Sequence, residues 1–382
     1  LGIVKAGAVA VSIADSFAPQ EIATRLRIAP VRAVFTQDKV RRGGREFPLL
    51  SKVIEAGCDR AIVLPFDEDH PDVEVRENDL WWPEFIEDTN EFRAVPRGPA
   101  DPTNVLFSSG TTGDPKAIPW TQTTPIKCAA DGYLYQDIHA GQVVAWPTNL
   151  GWMMGPWLIY AALVNAATIA LYYGAPTQRE FGRFVVDSGV NVLGVVPSTV
   201  RAWQGSDCMS GLDWSRVRCF SSTGECSDPN SMLYLMSLAG YKPVIEYCGG
   251  TEIGGGYITG TMVQSASPAT FTTAALGLDV AIVDADGNRV DNGELFIEPP
   301  SIGLSNELLN GDHHATYFDG VPAAATGSVL RRHGDQMERL PNGYYRAHGR
   351  TDDTMNLSGI KVSSAEIEYA ISEIAGVVET AA

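Results

Sequence analysis

The chain is expected to fold as an α/β protein with largely parallel sheets, followed by a small antiparallel β unit and the opening of a third unit. Three observations predict this. Up to about residue 260, apolar β-rich runs alternate with longer helical patterns, the signature of α/β layers. After 260 the chain turns to short strands separated by Gly/Asp/Asn turns. From Thr351 onward, polar residues lead into Ser363-Ser364-Ala365-Glu366-Ile367-Glu368, a helix start with a capping residue and early carboxylates.

Taken in order, the strand-like runs are residues 8–13, 31–36, 61–65, 104–108, 143–146, 168–172, 192–196, 217–221 and 244–247, with helical patterns at 19–28, 178–187 and 229–239. Two sheets fit that count. Residues 66–104, rich in acid, Pro and Trp, read as a surface excursion. Residues 151–175 carry no charge but include Gly155-Pro156, Asn165 and Thr168. Their purely apolar part is far shorter than the ~20 residues a bilayer needs. A buried helix over 157–165 and a strand over 168–173 explain them better. The later strands are 278–283, 294–297, 328–332 and 344–347. Asp284-Ala285-Asp286-Gly287-Asn288 opens like a calcium loop, but Arg289 stands where glycine is needed and Leu295 where glutamate is needed. A hairpin turn is expected instead. The expected units are 1–260, 261–350 and 351–382.

Composition bounds the rest. With 382 residues, 45% hydrophobic and 19% charged, the chain is long enough for several globular units. Its 28 basic and 46 acidic residues give a net charge of −18, a field that repels nucleic acid and acidic membrane surfaces. Any bound anion must be held locally. Six cysteines form no C-x-x-C pair and no Cys/His ligand spacing, as expected for reduced thiols of an intracellular protein. His313, His314, His333 and His348 show no spacing typical of zinc. The chain begins at Leu1 inside an apolar pattern and ends just past Gly376-Val377-Val378, so both ends are expected to be cuts in a longer protein.

One segment carries the chemistry. Ser108-Ser109-Gly110-Thr111-Thr112-Gly113-Asp114-Pro115-Lys116 follows the apolar run Asn104-Val105-Leu106-Phe107. Its glycines let backbone N–H groups turn toward an anion, its four hydroxyls donate hydrogen bonds, and Lys116 supplies a point charge. Only Asp114 and Pro115 separate Gly113 from Lys116, so this is not the Walker loop. A second segment, Tyr247-Cys248-Gly249-Gly250-Thr251-Glu252, leaves a strand and enters Gly254-Gly255-Gly256. Open α/β sheets bind ligands at such strand ends, where a carboxylate can hold Mg2+ through water and a threonine can reach a phosphate oxygen.

Together these segments resemble the adenylate-forming (AMP-binding) superfamily, which includes acyl-CoA synthetases, and in particular plant acyl-activating enzymes related to acetyl-CoA synthetase, some of them peroxisomal. Thr148-Asn149-Leu150-Gly151-Trp152 and Asn310-Gly311-Asp312-His313-His314-Ala315-Thr316-Tyr317-Phe318 resemble acetyl-CoA synthetases more than luciferases. The resemblance covers essentially the whole chain. It implies a large N-terminal domain of two layered α/β subdomains plus a small β-barrel subdomain, followed by the start of a small α+β C-terminal domain.

For the site, the resemblance implies catalytic roles for Thr111, Lys116, Thr251 and Glu252, the last as Mg2+ ligand. Nucleotide contacts are implied for Ser108, Ser109, Gly110, Thr112, Gly113, Gly224, Glu225, Tyr247, Asp335 and Arg350. Ser222-Thr223-Gly224-Glu225 would frame adenine, and Asp335 would accept hydrogen bonds from both ribose hydroxyls. Asp352 falls at the implied hinge, and Gly359 and Lys361 in the loop of the thioester step. Trp152 and Gly249 fall at the acyl pocket. Acetate-specific relatives place a tryptophan at the Gly249 position, so a deeper pocket and a longer or bulkier acid are expected. Where relatives carry an adenine-stacking aromatic this chain has Cys248, with Tyr247 as the available substitute.

The implied reaction is ATP-dependent activation of a carboxylic acid to acyl-AMP, followed by transfer to coenzyme A, with ATP, Mg2+ and coenzyme A as cofactors. The implied adenylating lysine lies beyond Ala382. Two alternatives stay open: a fragment that binds nucleotide or adenylate without efficient turnover, and an adenylation enzyme passing its acyl group to a carrier protein. A kinase is disfavoured, since no Walker or kinase catalytic motif is present. The expected compartment is the peroxisome or cytoplasm.

Overall fold

The computed structural model describes residues 1–42, 45–67, 74–89, 91–108, 114–324, 327–351, 354–357, 360–363, 371, 374 and 377. Its first strands are β1 (Ala10–Val11), β2 (Val34–Gln37), β3 (Val40–Arg42), β4 (Arg45–Phe47), β5 (Ala61–Leu64), β6 (Leu80–Trp81), β7 (Pro102–Ser108) and β8 (Lys116–Thr121). β9 (Val143–Ala145), β10 (Thr168–Ile169), β11 (Val192–Val195), β12 (Cys219–Ser222), β13 (Val244–Gly250), β14 (Gly255–Thr259) and β15 (Thr273–Ala274) follow. The helices are α1 (Gly2–Lys5), α2 (Pro19–Ile28), α3 (Leu49–Glu55), α4 (Trp82–Phe85), α5 (Thr124–Leu134), α6 (Met154–Val164), α7 (Arg179–Asp187), α8 (Pro197–Ser206), α9 (Pro229–Leu238) and α10 (His313–Tyr317).

The largest sheet has seven strands in the order β10-β9-β11-β12-β13-β14-β15. From β10 to β13 every pairing is parallel, and β14 and β15 add antiparallel strands at one side. β11 and β12 are buried throughout, as strands covered on both faces must be. Two three-stranded sheets, β2-β5-β6 and β1-β7-β8, complete the α/β part. The uncharged stretch after residue 151 forms α6 and β10, and among the described residues no helix is long and apolar enough to cross a membrane. Trp157 and Leu158 of α6 pack with Trp120 of β8 and Ile245 of β13 in one apolar cluster.

Beyond residue 275 the chain forms a four-stranded antiparallel sheet of β16 (Asp279–Val283), β17 (Asn292–Glu298), β18 (Arg331–Arg339) and β19 (Tyr345–Arg350), in that order. Among the described residues β16 and β19 stay its outer strands, so it is an open sheet rather than a closed barrel. A further hairpin, β20 (Thr354–Leu357) with β21 (Ile360–Ser363), follows. The Asp284 turn is the expected hairpin connection: its carboxylate Oδ1 accepts from the N–H groups of Asp286 and Asn288 within the turn.

Close packing sets limits that composition does not show. Gly194 of β11 faces Trp146, and a Cβ there would lie 1.8 Å from the indole. That indole meets Trp157 edge-on at 5.4 Å, so it has no room to retreat. Gly194→Ala is therefore expected to cost about 2 kcal/mol or more of stability. A denaturation midpoint equal to that of the unsubstituted chain would show that the indole can move.

Candidate active site

β7 and β8 are antiparallel, with Ser108 directly opposite Lys116. The connection between them is the glycine–hydroxyl loop, of which Ser109, Gly110, Thr111, Thr112 and Gly113 lie outside the described residues. Lys116 is not the last residue of a loop, as the motif suggested, but the first residue of a strand. The pairing with Ser108 holds its backbone from one side.

The Lys116 ammonium lies 3.2 Å from Glu252 Oε1. Ser108 Oγ and the Tyr317 hydroxyl donate to the same oxygen, each at 3.4 Å. Glu252 is only 8% exposed. Burial pushes its carboxyl pKa up, but the charges of His333 and Lys116 outweigh burial and bring it down to about 2. Burial also holds the His333 imidazole below its usual 6.5, against the pull of Asp335 and Glu252. At neutral pH the lasting counter-charge to Glu252 is therefore Lys116.

β18 carries Arg331, His333 and Asp335; its register against β17 shifts between Arg332 and Asp335, and His333 Nε2 lies 3.5 Å from Asp335 Oδ2. Asp335 stands opposite Arg350 of β19, and Arg350 Nη1 donates to its Oδ1 at 3.1 Å and to the His333 carbonyl at 2.7 Å. The Tyr257 hydroxyl donates to Asp335 Oδ2, and the Cys248 thiol lies 3.7 Å from that oxygen. Gly334 is required here: its φ is +91°, and a Cβ would sit 2.7 Å from the Arg350 guanidinium.

The glycine turn after β13 is clamped from behind. Asp131 of α5 accepts from the Lys127 ammonium at 2.7 Å, from the Gly256 N–H at 2.9 Å and from the Tyr247 hydroxyl. Tyr247 in turn accepts from Trp157 Nε1 at 3.0 Å. Gly255 leaves room for this network, since a Cβ there would lie 2.4 Å from Asp131 Oδ2. Tyr247 is therefore not a surface for stacking a base: its ring is buried to 1% and its hydroxyl is bound inward. That corrects the expectation that it could replace the missing aromatic at Cys248.

Gly249 needs a second correction. A side chain there would start 2.0 Å from the Gly255 carbonyl oxygen, at a bulge where β13 and β14 shift register. The direction in which a tryptophan would leave is filled by backbone, so its absence does not by itself open a cavity. Trp152 lies half-exposed, edge-on to Phe17 at 5.6 Å. Glu225, just past the positive-φ Gly224, accepts from the N–H and hydroxyl of Ser198 at the start of α8. Asp352 and Gly359 lie outside the described residues, as does the Lys361 side chain; the Lys361 backbone belongs to β21.

Sequence reasoning passed over four residues that the fold brings here: Glu246, Tyr257, Tyr317 and His333. His333 had a signal, the two-residue spacing to Asp335 along a strand. Glu246, inside an apolar β13, had one too, because a carboxylate among Val244, Ile245 and Tyr247 is out of place unless something binds it. It accepts from Ser227 Oγ at 2.8 Å, and burial raises its pKa to about 8.

The cluster lies at the carboxyl end of a parallel sheet, the place where open α/β sheets form a ligand crevice. Solved structures share this fold. An acetoacetyl-CoA synthetase from Streptomyces lividans superposes with a TM-score of 0.88 at 25% identity, over 99% of this chain and 60% of that one. An anthranilate CoA ligase bound to anthranoyl-AMP superposes with a TM-score of 0.83 at 21% identity, over 99% of this chain and 70% of that one, a likeness of fold alone. The family model described as AMP-binding enzyme matches residues 1–304, and the chain belongs to that family. It is 52% identical over 98% of its length to hexanoyl-CoA synthase of Cannabis sativa. It is 53% identical over its whole length to probable acyl-activating enzyme 17, peroxisomal, of Arabidopsis thaliana. The chain spans about half the length of these curated relatives, 53% and 54% respectively.

Glu246 provides a pH test. Its carboxyl ionises near 4.5 when unfolded and near 8 when folded, so between those values the folded chain holds more protons. Its contribution to stability is full below 4.5 and is lost as pH rises through 8, on the order of a few kcal/mol. Glu252 acts in a separate window, losing its contribution as pH falls from 4.5 toward 2. His333 acts in the opposite sense to Glu246 but equally with and without it. Glu246→Gln is thus expected to gain stability relative to the parent chain between pH 5 and pH 8, read by denaturation at each pH. A constant difference across that range would refute the assignment.

Proposed function

We propose that this chain is the nucleotide-binding part of an acyl-CoA synthetase that makes acyl-AMP from a carboxylic acid and ATP and passes the acyl group to coenzyme A. The observation that carries this is the Lys116–Glu252 pair at the mouth of the glycine–hydroxyl loop, with Asp335 and Arg350 on the adjoining hairpin. In the first step a carboxylate oxygen attacks the α-phosphorus of ATP, the bond to the β-phosphate oxygen breaks, and pyrophosphate leaves. In the second, the coenzyme A sulfur attacks the acyl carbon, its proton is lost, and AMP leaves with the electrons of the acyl–oxygen bond.

No side-chain nucleophile is needed, so the protein's part is positioning and charge neutralisation. Lys116 and the hydroxyls of Ser108, Ser109, Thr111 and Thr112 would hold the phosphates, with backbone N–H groups of Gly110 and Gly113. Asp335 would accept from the ribose hydroxyls, and Arg350, already paired to it, would orient that carboxylate and reach ribose or phosphate. The segment through Gly224 and Glu225 would lie along adenine.

Mg2+ would be held by Glu252, with Thr251 alongside on a phosphate oxygen. Two features fit this. Glu252 is ionised, its carboxyl brought down to about 2, and at Gly250 the absent Cβ, which would lie 2.9 Å from its Oε2, leaves that oxygen uncrowded. Among the described residues no group of three or more His, Cys, Asp or Glu could hold a metal alone, which suits Mg2+ carried by one carboxylate and the nucleotide's own phosphates. The ion would supply charge neutralisation at the phosphates.

The acid is proposed to be longer than acetate, supported by the 52% identity to a hexanoyl-CoA synthase, with Trp152 and the Gly249 bulge bordering the acyl group. A peroxisomal location is proposed from the similarity to acyl-activating enzymes 17 and 18, both named as peroxisomal. The chain divides, in this reading, into 1–260, 261–350 and 351–382, with Asp352 at the hinge and Gly359 and Lys361 serving the thioester step.

The decisive test is carboxylate-dependent exchange of labelled pyrophosphate into ATP, using this chain and a version extended through the small domain. Exchange is expected to rise from acetate to hexanoate, and Lys116→Ala or Glu252→Gln to lower it about a hundredfold. Exchange in neither version would refute the acyl-adenylate reading. Equal rates with acetate and hexanoate would refute the proposed acid length alone.

A further inference from the structure

We infer that Asn310 is a positioning residue for Lys116, its side-chain amide fixing the backbone on both sides of that lysine. The inference rests on the nucleotide-binding reading above and names a residue to which that reading gives no role. Asn310 Oδ1 accepts from the Ala117 N–H at 2.9 Å, and its Nδ2 donates to the Pro115 carbonyl at 2.9 Å. Pro115 and Ala117 are the immediate neighbours of Lys116. One amide thus grips the chain before and after the lysine, and its oxygen and nitrogen meet the matching donor and acceptor.

The placement follows from the sheet. β8 is an edge strand in the order β1-β7-β8, and its outward backbone groups need partners from elsewhere. The segment after residue 305 supplies them: the Leu309 N–H donates to the Ala117 carbonyl at 3.0 Å, next to the Asn310 contacts. Loops before an edge strand fray easily, and Lys116 stands at the junction of loop and strand. Without Asn310, the Leu309 bond and the pairing with Ser108 would remain, but the Pro115 carbonyl and the Ala117 N–H on either side of the lysine would lose these contacts.

The same segment also reaches Glu252. The Ser305 N–H donates to the Glu252 carbonyl at 2.7 Å. Asp312 caps α10 by accepting from the Ala315 N–H at 3.0 Å, and α10 delivers Tyr317 to the Glu252 carboxylate. Residues 305–317 therefore form a strap touching both members of the Lys116–Glu252 pair, and Asn310 is its contact on the lysine side. Lys116 has a flexible four-carbon stem, so a fixed Cα is what limits where its ammonium can go.

A double-substitution cycle tests this. ATP affinity is measured by titration calorimetry on the 382-residue chain and on its Asn310→Ala, Lys116→Ala and doubly substituted forms. Asn310→Ala is expected to weaken ATP binding about five- to tenfold, and to add nothing once Lys116 is alanine. Asn310→Asp, which keeps the acceptor but sets an oxygen against the Pro115 carbonyl, is expected to match or exceed the alanine loss. It also gives a second reading should the alanine form fold poorly. Losses that add in the double form, or an unchanged affinity in both Asn310 forms, would overturn the role assigned to Asn310 while leaving the nucleotide site intact. A parent chain that does not bind ATP would instead overturn the nucleotide reading itself.

Discussion

A carboxylate buried as deeply as Glu252 can stay ionised only beside compensating charge, and much of this molecule is arranged to provide it. The cost of removing an ion from water is large, and a partner must be held close to offset it. Lys116 supplies that charge from a strand of a different sheet, and the Ser108 and Tyr317 hydroxyls add hydrogen bonds, the latter from a short helix. Those elements come from widely separated parts of the chain. Their convergence on Oε1 makes the relative placement of the seven-stranded sheet, the three-stranded sheet with β8, and α10 a condition for the charge pair.

The glycines around Glu252 serve the same end by a different physical route. Gly250 leaves the carboxylate side of the turn open, while Gly255 lets the Lys127–Asp131 pair approach from the core side. This buried pair is not evidence of great stability in itself, since desolvation consumes most of its attraction. Burial indeed pushes the Asp131 carboxyl up despite the adjacent ammonium. Its contribution is geometric: Asp131 ties the Gly256 N–H and the Tyr247 hydroxyl to α5, so the turn carrying Thr251 and Glu252 is fastened to a helix.

Tyr247 illustrates how local pattern misleads at such a place. In sequence it is the aromatic next to an expected stacking position. In the fold it is the residue before it on β13, and the two-residue period of a strand sends adjacent side chains to opposite faces. Tyr247 therefore points into the core toward Trp157, while Cys248 points toward Tyr257 and Asp335. Gly249 misleads for a related reason: a bulge, invisible in a short apolar run, turns its missing side chain against β14. Asp335 and Arg350 each sit in a distinct motif, and only the register of β18 with β19 brings them together. Lys116 and Glu252 were legible as chemistry, but nothing in either motif indicates that they touch.

The sequence by itself determined the alternation of strands and helices, the shift to antiparallel structure after residue 260, and the residue types able to meet a nucleotide. Those properties are local: hydrophobic period, turn chemistry, and hydroxyls, glycines and charges within a few positions of one another. Only the tertiary structure decided which charges pair, which aromatic faces inward, and that the strap at 305–317 holds Lys116 and Glu252 together. Such outcomes depend on strand register, bulges and sheet edges. Register and bulges join near positions, as Gly249 with Gly256 or Asp335 with Arg350, but no local pattern states them; Lys116 with Glu252 and Ala117 with Asn310 lie in separate parts of the chain, and no window of sequence contains both members.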